Sequence, residues 1–174
     1  MSKPLVSVII PTFNRGYCLE ESIRSVLEQS FIDFELVVVD DGSTDNTSEL
    51  VRRFPAVKLI RLEEKNRGVS FARNRGVVEA QGDWVGFLDS DDLWEQGKLA
   101  TQVKWIERHP DLQIVYTDEI WIRNGVRVNP MNKHRKYSGD IFLYCLPLCI
   151  VSPSSVLLRA KVLSEVGGFD ESMQ

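Results

Sequence analysis

The sequence predicts an α/β fold in which a mostly parallel sheet is flanked by helices. Short runs rich in β-branched residues alternate with segments of helical periodicity. The helical segments are long enough to serve as right-handed crossovers between parallel strands. Polar clusters directly follow several of the runs, as they do in open α/β sheets. A chain of 174 residues is expected to form one domain, residues 1–174.

The first half of the chain is expected to hold four strands, each followed by a helix. Buried strands are predicted from Val6 to Ile10, Leu36 to Val39, Val57 to Leu62 and Trp84 to Leu88. The first two helices would bury Leu19, Ile23, Val26 and Leu27, and then Leu50 and Val51 behind a cap at Ser43 to Asp45. The third would run from Gly68 to Ala80, and the fourth, with Leu99, Val103 and Ile106 inward, would end before Pro110.

The second half is expected to extend the sheet and to add a hairpin. Ile114 to Tyr116 is predicted to continue the sheet. A β-hairpin is predicted near Asn124-Gly125, because this dipeptide suits a two-residue turn; its strands would be Ile120 to Arg123 and Val126 to Val128. The polar, basic stretch from Pro130 to Ser138 is predicted to be a mobile loop, and apolar character returns from Ile141 to Leu158.

Composition excludes several classes of protein. A net charge of -4 argues against a nucleic-acid partner, which normally needs a basic face. The apolar run from Leu5 to Ile10 is too short for a signal peptide or a membrane span. Cys18, Cys145 and Cys149 match no disulfide or zinc framework, which favours reduced, buried thiols in a cytoplasmic protein.

Three polar clusters are predicted to meet at one edge of the sheet. Thr12 to Arg15, Asp40 to Thr44 and Asp89 to Asp92 each follow a predicted strand. In open α/β sheets, ligands bind beyond the carboxyl ends of the strands. The convergence of the three clusters therefore predicts a binding site there.

The Asp89-Ser90-Asp91 segment predicts a metal site. In an extended segment, residues i and i+2 project to the same side, so both carboxylates can face one ion. Carboxylates suit Mg²⁺ or Mn²⁺, which take further ligands from water and substrate phosphates. The alternative is that Ser90, Asp91 or Asp92 caps a helix starting near Leu93. Three acids in four residues would repel one another without a cation, which favours the metal.

Asp40 is the predicted contact for a base or ribose hydroxyl, in the manner of dinucleotide-binding sheets. The alternative is a turn capped by Ser43 or Asp45, and such a turn leaves Asp40 without a structural task. The loop from Pro11 to Arg15 could contact the other face of a nucleotide, although its residue types are also common in turns. Arg73 could approach a diphosphate, and a solvated helix face is the alternative.

Together these segments resemble the family 2 glycosyltransferases, whose fold is the Rossmann-like GT-A type. The matching stretches follow the family's order over nearly the whole chain: Val6 to Arg15, Val38 to Asp45, Asn66 to Asn74, Gly86 to Asp92 and Gly167 to Glu171. The resemblance implies metal-dependent, inverting transfer of a sugar from a nucleoside-diphosphate sugar to an acceptor hydroxyl. The donor would be a UDP-sugar, the acceptor a glycan or glycolipid in polysaccharide assembly, and the cation Mn²⁺ or Mg²⁺.

The resemblance also implies roles for individual residues. The nucleotide-binding residues would be Pro11, Thr12, Phe13, Arg15, Asp40, Arg73 and Ser90, and the metal ligands of the "DXD" motif would be Asp91 and Asp89. A cytoplasmic place is expected, with peripheral attachment to the inner face of a membrane left open. The oligomeric state is also left open.

An inverting transfer needs a carboxylate that takes the proton from the acceptor hydroxyl. In similar enzymes this base follows shortly after the segment that corresponds to Gly167 to Glu171, so it is expected beyond Gln174. The chain is therefore expected to be an amino-terminal part that binds donor but lacks its catalytic base. Asp170 and Glu171 fit better in a turn after a helix C-cap at Gly167-Gly168.

Two other functions are considered. A nucleotidyltransferase would more often carry a Gly-rich basic loop after its first strand, and Pro11 to Gly16 is not one. A receiver-like signalling domain is suggested by Val39-Asp40-Asp41, but it would need a further acid and a lysine at later strand ends.

Overall fold

The computed structural model describes residues 3–63, 66–129 and 131–173 of the chain. Its elements, in chain order, are β1 (Val6–Thr12), α1 (Leu19–Leu27), β2 (Phe34–Asp40), α2 (Thr47–Arg52), β3 (Val57–Arg61), α3 (Val69–Glu79), β4 (Trp84–Phe87), α4 (Lys98–Arg108), β5 (Ile114–Tyr116), β6 (Trp121–Arg123), β7 (Val126–Val128), α5 (Phe142–Cys145), β8 (Val156–Arg159) and α6 (Ala160–Glu165). Two short 3-10 helices are formed by Asn132–His134 and Pro153–Ser155.

The centre of the molecule is a six-stranded sheet with the order β3-β2-β1-β4-β8-β5. Strand β1 is parallel to β2 on one side and to β4 on the other, and β3 is parallel to β2. Strand β8 is antiparallel to both β4 and β5. The predicted α/β architecture with a mostly parallel sheet is confirmed.

Both faces of the sheet are covered, and this explains the unbroken apolar runs of the central strands. Alternate residues such as Val8 and Val38 pack toward α1, α2 and α4. The residues between them, such as Ile9 and Val37, pack toward α3 and α6. All four side chains are fully buried. The central strands are therefore fixed from both sides, and their carboxyl ends are held at one edge.

The predicted hairpin is confirmed, with β6 and β7 as a separate two-stranded sheet. Its turn residues Asn124 and Gly125 have φ angles of 50° and 74°, the left-handed values that this turn requires. Strand β5 continues the sheet as predicted, but at its edge and paired only with β8 among the described residues.

Strand β8 is the element that the periodicity did not identify as part of the sheet. The apolar stretch from Ile141 to Leu158 contains α5, a 3-10 turn and then β8. A short apolar run shows that a segment is buried but not which strand it pairs with. The insertion of β8 between β4 and β5 therefore depends on contacts between distant parts of the chain.

Two expectations for the second half need correction. Pro130 lies outside the described residues, but the end of the predicted mobile loop is anchored: the Lys136 ammonium donates to the Glu119 carboxylate at 2.8 Å and to the Ile150 carbonyl at 2.6 Å. The three cysteines are free thiols, as expected, but Cys149 is exposed and the other two are only half-buried.

Among the helices of the described residues, none combines the length and the apolar character that a membrane crossing requires.

Candidate functional site

The carboxyl ends of β1, β2 and β4 enclose one cleft of about 370 Å³. It is bounded on its other side by the start of α3. All but one of the side chains predicted for the site line this cleft. The full lining consists of Pro11, Thr12, Phe13, Arg15, Asp41, Asn66, Val69, Ala72, Arg73, Asp89, Ser90 and Asp91.

Asp40 is the exception. It does not line the cleft, so the prediction that it contacts the nucleoside is wrong. Its side chain is fully buried on the α2 side of the sheet, on the same face as Val38. Its carboxylate accepts a hydrogen bond from the Ser43 backbone N–H at 2.8 Å and another from the Ser48 hydroxyl. Asp40 therefore holds the β2–α2 turn, which is the structural task that the sequence did not suggest.

Asp41 takes the place expected of Asp40. Successive residues at the end of a strand point to opposite faces, so the two neighbouring carboxylates separate. Asp41 Oδ2 accepts a hydrogen bond from the Gly68 backbone N–H at 2.9 Å. Gly68 has a φ of 101°, a left-handed value that favours glycine and that brings its N–H to the Asp41 carboxylate. Strand alternation counted from Val38 shows that Asp40 and Asp41 point to opposite faces, but it does not show on which face the cleft lies.

Three buried polar atoms of the cleft have no hydrogen-bond partner within the described part of the chain. They are Thr12 Oγ1, Asp41 Oδ1 and Arg73 Nε. Buried polar atoms of a native protein are usually paired, and each exception calls for a physical reason. These three belong to different elements and line the same cleft. The arrangement suits a polar ligand that supplies the missing partners.

The acid turn, defined here as Asp89 to Asp92, gives its three carboxylates different surroundings. Asp89 pairs with the Arg73 guanidinium at 2.6 Å. Asp92 accepts a hydrogen bond from the Ser154 hydroxyl, also at 2.6 Å. Burial raises the pKa of Asp92, the Ser154 bond lowers it, and the charges of Asp89 and Asp91 raise it further.

Asp91 is exposed and lines the cleft. The pKa of Arg15 is raised mainly by its hydrogen bond with the Tyr17 hydroxyl, and the negative charge of Asp91 also raises it. The carbonyl of the preceding residue, Ser90, is fixed by the Ser22 hydroxyl at 2.9 Å. Asp91 is thus the carboxylate of the turn that is presented to a ligand.

These contacts change the argument for a metal. The expected repulsion among the acids is partly relieved within the protein, because Arg73 forms an ion pair with Asp89, although the charges of Asp89 and Asp91 still raise the pKa of Asp92. The capping alternative is also wrong, since α4 begins at Lys98 after Gly97. A cation is therefore favoured mainly by the donor set of the cleft, and only in part by repulsion among the acids.

The donor set fits a cation that a substrate completes. The described residues contain no group of three or more His, Cys, Asp or Glu side chains that could hold a metal by themselves. Asp91 and the second oxygen of Asp89 supply two carboxylates. Mg²⁺ commonly binds through one or two carboxylates together with substrate phosphates.

The comparisons with known proteins identify the family. Residues 7–167 match the model of Glycosyl transferase family 2. The chain belongs to this family. The family that the sequence motifs resemble is therefore confirmed, and so is the GT-A type of the α/β fold.

Among the relatives is the putative teichuronic acid biosynthesis glycosyltransferase TuaG of Bacillus subtilis strain 168. It is 42% identical over 108 residues, which are 60% of this chain and 42% of TuaG. The structure of S. aureus TarS 1-349 in complex with UDP superimposes with a TM-score of 0.79 at 29% identity, covering 97% of this chain and 51% of TarS 1-349. The same TarS fragment was also solved with UDP-GlcNAc.

A mannosyltransferase, PcManGT from Pyrobaculum calidifontis, in complex with GDP-Man and Mn²⁺, superimposes with a TM-score of 0.72 at 27% identity. The match covers 98% of this chain and 49% of PcManGT. The chain therefore spans about half the length of these solved structures, and less than half of TuaG.

Proposed function

We propose that the cleft binds a nucleoside-diphosphate sugar, specifically a UDP-sugar, and that the protein transfers the sugar with inversion to a hydroxyl of a glycan or glycolipid. The observation that carries this proposal is the convergence of the unpartnered Thr12, Asp41 and Arg73 atoms beside Asp91 in one cleft. The similarity to TarS, solved with UDP and with UDP-GlcNAc, supports uridine as the nucleoside.

The nucleoside end of the donor is assigned to the β1 and β2 side of the cleft. Uracil carries one N–H between two carbonyl groups, and the free Asp41 Oδ1 can accept a hydrogen bond from that N–H. Thr12 Oγ1 can bond a second polar atom of the nucleoside. Pro11 and Phe13 supply apolar surface at the same edge, and Arg15 lies beside them.

The diphosphate end is assigned to the acid turn and α3. Asp91, with Asp89, would hold Mn²⁺ or Mg²⁺, and Arg73 and Ser90 lie next to them. When bound, such a cation stabilises the negative charge that develops on the departing nucleoside diphosphate. The Arg73–Asp89 ion pair would hold both side chains beside the phosphates in this assignment.

The base that deprotonates the acceptor is not assigned to Asp170 or Glu171. The Asp170 carboxylate accepts hydrogen bonds from the Ser172 backbone N–H and hydroxyl, which lower its pKa. The Glu171 carboxylate accepts one from the Asn74 amide at 2.9 Å. Gly167 and Gly168 have φ values of 81° and 79°, as expected for a helix C-cap. We expect the base after Gln174, as the family resemblance implies.

Calorimetric titration of the chain with UDP, GDP and CDP, each with and without Mn²⁺, tests donor binding. UDP with Mn²⁺ is expected to bind tightest, and omission of the cation should weaken binding at least tenfold, because the phosphates then lose their counter-charge. UTP and beryllofluoride are titrated alongside. Tighter binding of UTP than of UDP would favour the nucleotidyltransferase, and binding of beryllofluoride would favour the receiver-like domain. If no nucleoside diphosphate binds in the presence of Mn²⁺, the proposal is wrong.

We also propose that the basic segment, defined as residues 120–149, faces an anionic membrane surface. It holds five Lys and Arg against one acidic residue, whereas the rest of the chain holds sixteen against twenty-four. Nine of the eighteen large apolar side chains that are exposed in the described chain also lie in it. Ring contacts of Trp121 with His134 and of Tyr137 with Tyr144 join its parts. Exposed apolar groups among basic ones suit an anionic lipid surface.

A further inference from the structure

Ser154 lies behind the acid turn and joins its two ends. Its hydroxyl donates a hydrogen bond to Asp92 Oδ2 at 2.6 Å and accepts one from the Asp89 backbone N–H at 3.1 Å. The Asp92 backbone N–H also donates a hydrogen bond of 3.0 Å to the Asp89 carbonyl, which closes the turn. One hydroxyl from a distant part of the chain therefore fixes both the first and the last residue of the turn.

Ser154 is itself held from behind by buried groups. It is the middle residue of the 3-10 turn Pro153–Ser155, directly before β8. Its carbonyl accepts a hydrogen bond from the indole N–H of Trp94 at 2.7 Å, and the Trp94 side chain is almost fully buried. The carbonyl of Ser155 accepts a second bond from the Gln102 amide at 3.0 Å. The hydroxyl is thus presented to the acid turn from a rigid support.

Two residues lie between the fixed ends, Ser90 and Asp91, and Asp91 is the exposed one of the two and lines the cleft. Its neighbour Ser90 is held from the opposite side by the Ser22 hydroxyl. With Asp89, Ser90 and Asp92 each fixed, the shape of the turn sets where the Asp91 backbone lies and the side from which its carboxylate leaves the chain. Groups that orient a metal ligand in this way commonly change metal affinity by about 10- to 100-fold when they are removed.

We infer that Ser154 is a positioning residue, which aims Asp91 at the cation and diphosphate of the donor without touching them. This inference rests on the proposed function. It predicts an effect confined to the cation-dependent part of donor binding. A general loss of packing would instead weaken every ligand of the cleft alike.

The test compares Ser154→Ala with Ser154→Thr, which keeps the hydroxyl. Two affinities are measured by calorimetry: that of UDP with Mn²⁺, and that of UMP without a metal. Ser154→Ala is expected to weaken the binding of UDP with Mn²⁺ about tenfold and to leave the binding of UMP within about twofold. Ser154→Thr should restore most of the affinity for UDP with Mn²⁺. Ser164→Ala is the matched control, since its hydroxyl bonds the Lys161 carbonyl on α6, away from the cleft.

A second variant keeps the test informative if Ser154→Ala folds poorly. Asp92→Ala removes the other end of the side-chain bridge. If the bridge transmits the effect, Asp92→Ala alone should weaken the binding of UDP with Mn²⁺ about tenfold and leave UMP binding without a metal within about twofold. An unchanged affinity for UDP with Mn²⁺ in Asp92→Ala would overturn the inference.

Two outcomes separate the inference from the proposed function. In the first, the unaltered chain binds UDP with Mn²⁺, and Ser154→Ala either binds it equally well or loses affinity for UMP by the same factor as for UDP with Mn²⁺. Only the role of Ser154 is then wrong. If the unaltered chain binds no UDP with Mn²⁺, the proposed function fails, and the inference fails with it.

Discussion

The cleft and the basic segment are built in opposite ways. The cleft forms where strands buried on both faces end, so its side chains are aimed by a packed core. The basic segment holds a small separate sheet, a four-residue helix and a surface of exposed apolar side chains. The first region is organised before any ligand arrives, whereas the second exposes surface that a partner would cover. Substitutions in the cleft should therefore alter ligand affinity, and substitutions in the basic segment should alter association with an anionic membrane surface.

The largest effect is expected for Asp91→Asn. Loss of the carboxylate that we propose as a cation ligand should weaken UDP binding in the presence of Mn²⁺ about 100-fold or more, because a hard cation would lose a charged oxygen ligand. Calorimetric titration measures this change. Asp140→Asn, an exposed acid of the basic segment, is the control and should bind like the unaltered chain. Equal affinity of the two variants would contradict the assignment of Asp91.

Neighbouring acids at the end of β2 provide the next comparison. Asp41→Asn should weaken UDP binding about tenfold, with little loss of stability, since the amide oxygen can still accept from Gly68. Asp40→Asn should instead lower the free energy of unfolding by about 1.5–3 kcal/mol, because a buried carboxylate that accepts two hydrogen bonds is lost. Urea unfolding and UDP titration separate the two. The reverse pattern would restore Asp40 as the nucleoside contact.

In the basic segment, replacing Phe142 and Leu143 with serine should weaken binding to phosphatidylglycerol vesicles about tenfold or more, because two exposed apolar side chains no longer insert. Co-sedimentation measures the bound fraction, which should also fall with salt. Ile32→Ser, an exposed apolar residue outside the segment, is the control. Equal binding to uncharged phosphatidylcholine, or no binding at all with self-association in its place, would contradict a role for anionic lipid.

The last comparison concerns stability and no ligand: Lys98 lies at the start of α4, outside the cleft lining, and Lys133 lies in the basic segment. Burial lowers the pKa of Lys98 to about 7, while Lys133 in the basic segment is exposed. Between pH 7 and 10 the unfolded chain then binds more protons at Lys98 than the folded chain, so this residue makes stability rise with pH. The slope is at most about 1.4 kcal/mol per pH unit.

Urea unfolding at pH 7 and pH 9 measures that slope. Lys98→Met should remove the contribution, and Lys133→Met should leave it. If both variants show the slope of the unaltered chain, Lys98 is charged in the fold throughout this range.

Several parts of the cleft were predictable because local patterns encode them. The apolar runs from Val6, Leu36 and Trp84 are fixed by burial on both faces, and a polar cluster after a parallel strand reaches the binding edge without knowledge of other contacts. Thr12, Arg15, Asp89 and Asp91 were placed in this way. The error at Asp40 arose because the strand extends one residue beyond the predicted end, and a shift of one residue exchanges the two faces.

The sequence alone determined the alternation of strands and helices in the first half and the acids that follow those strands, since both follow from periodicity over a few residues, and the family motifs were visible as a resemblance. Only the tertiary structure decided that Asp41 and not Asp40 faces the cleft, that Arg73 neutralises Asp89, and that β8 brings Ser154 to the acid turn. Asp89 and Ser154 lie 65 residues apart in the chain. Contacts of that kind arise from packing between distant elements, on which no local pattern carries information.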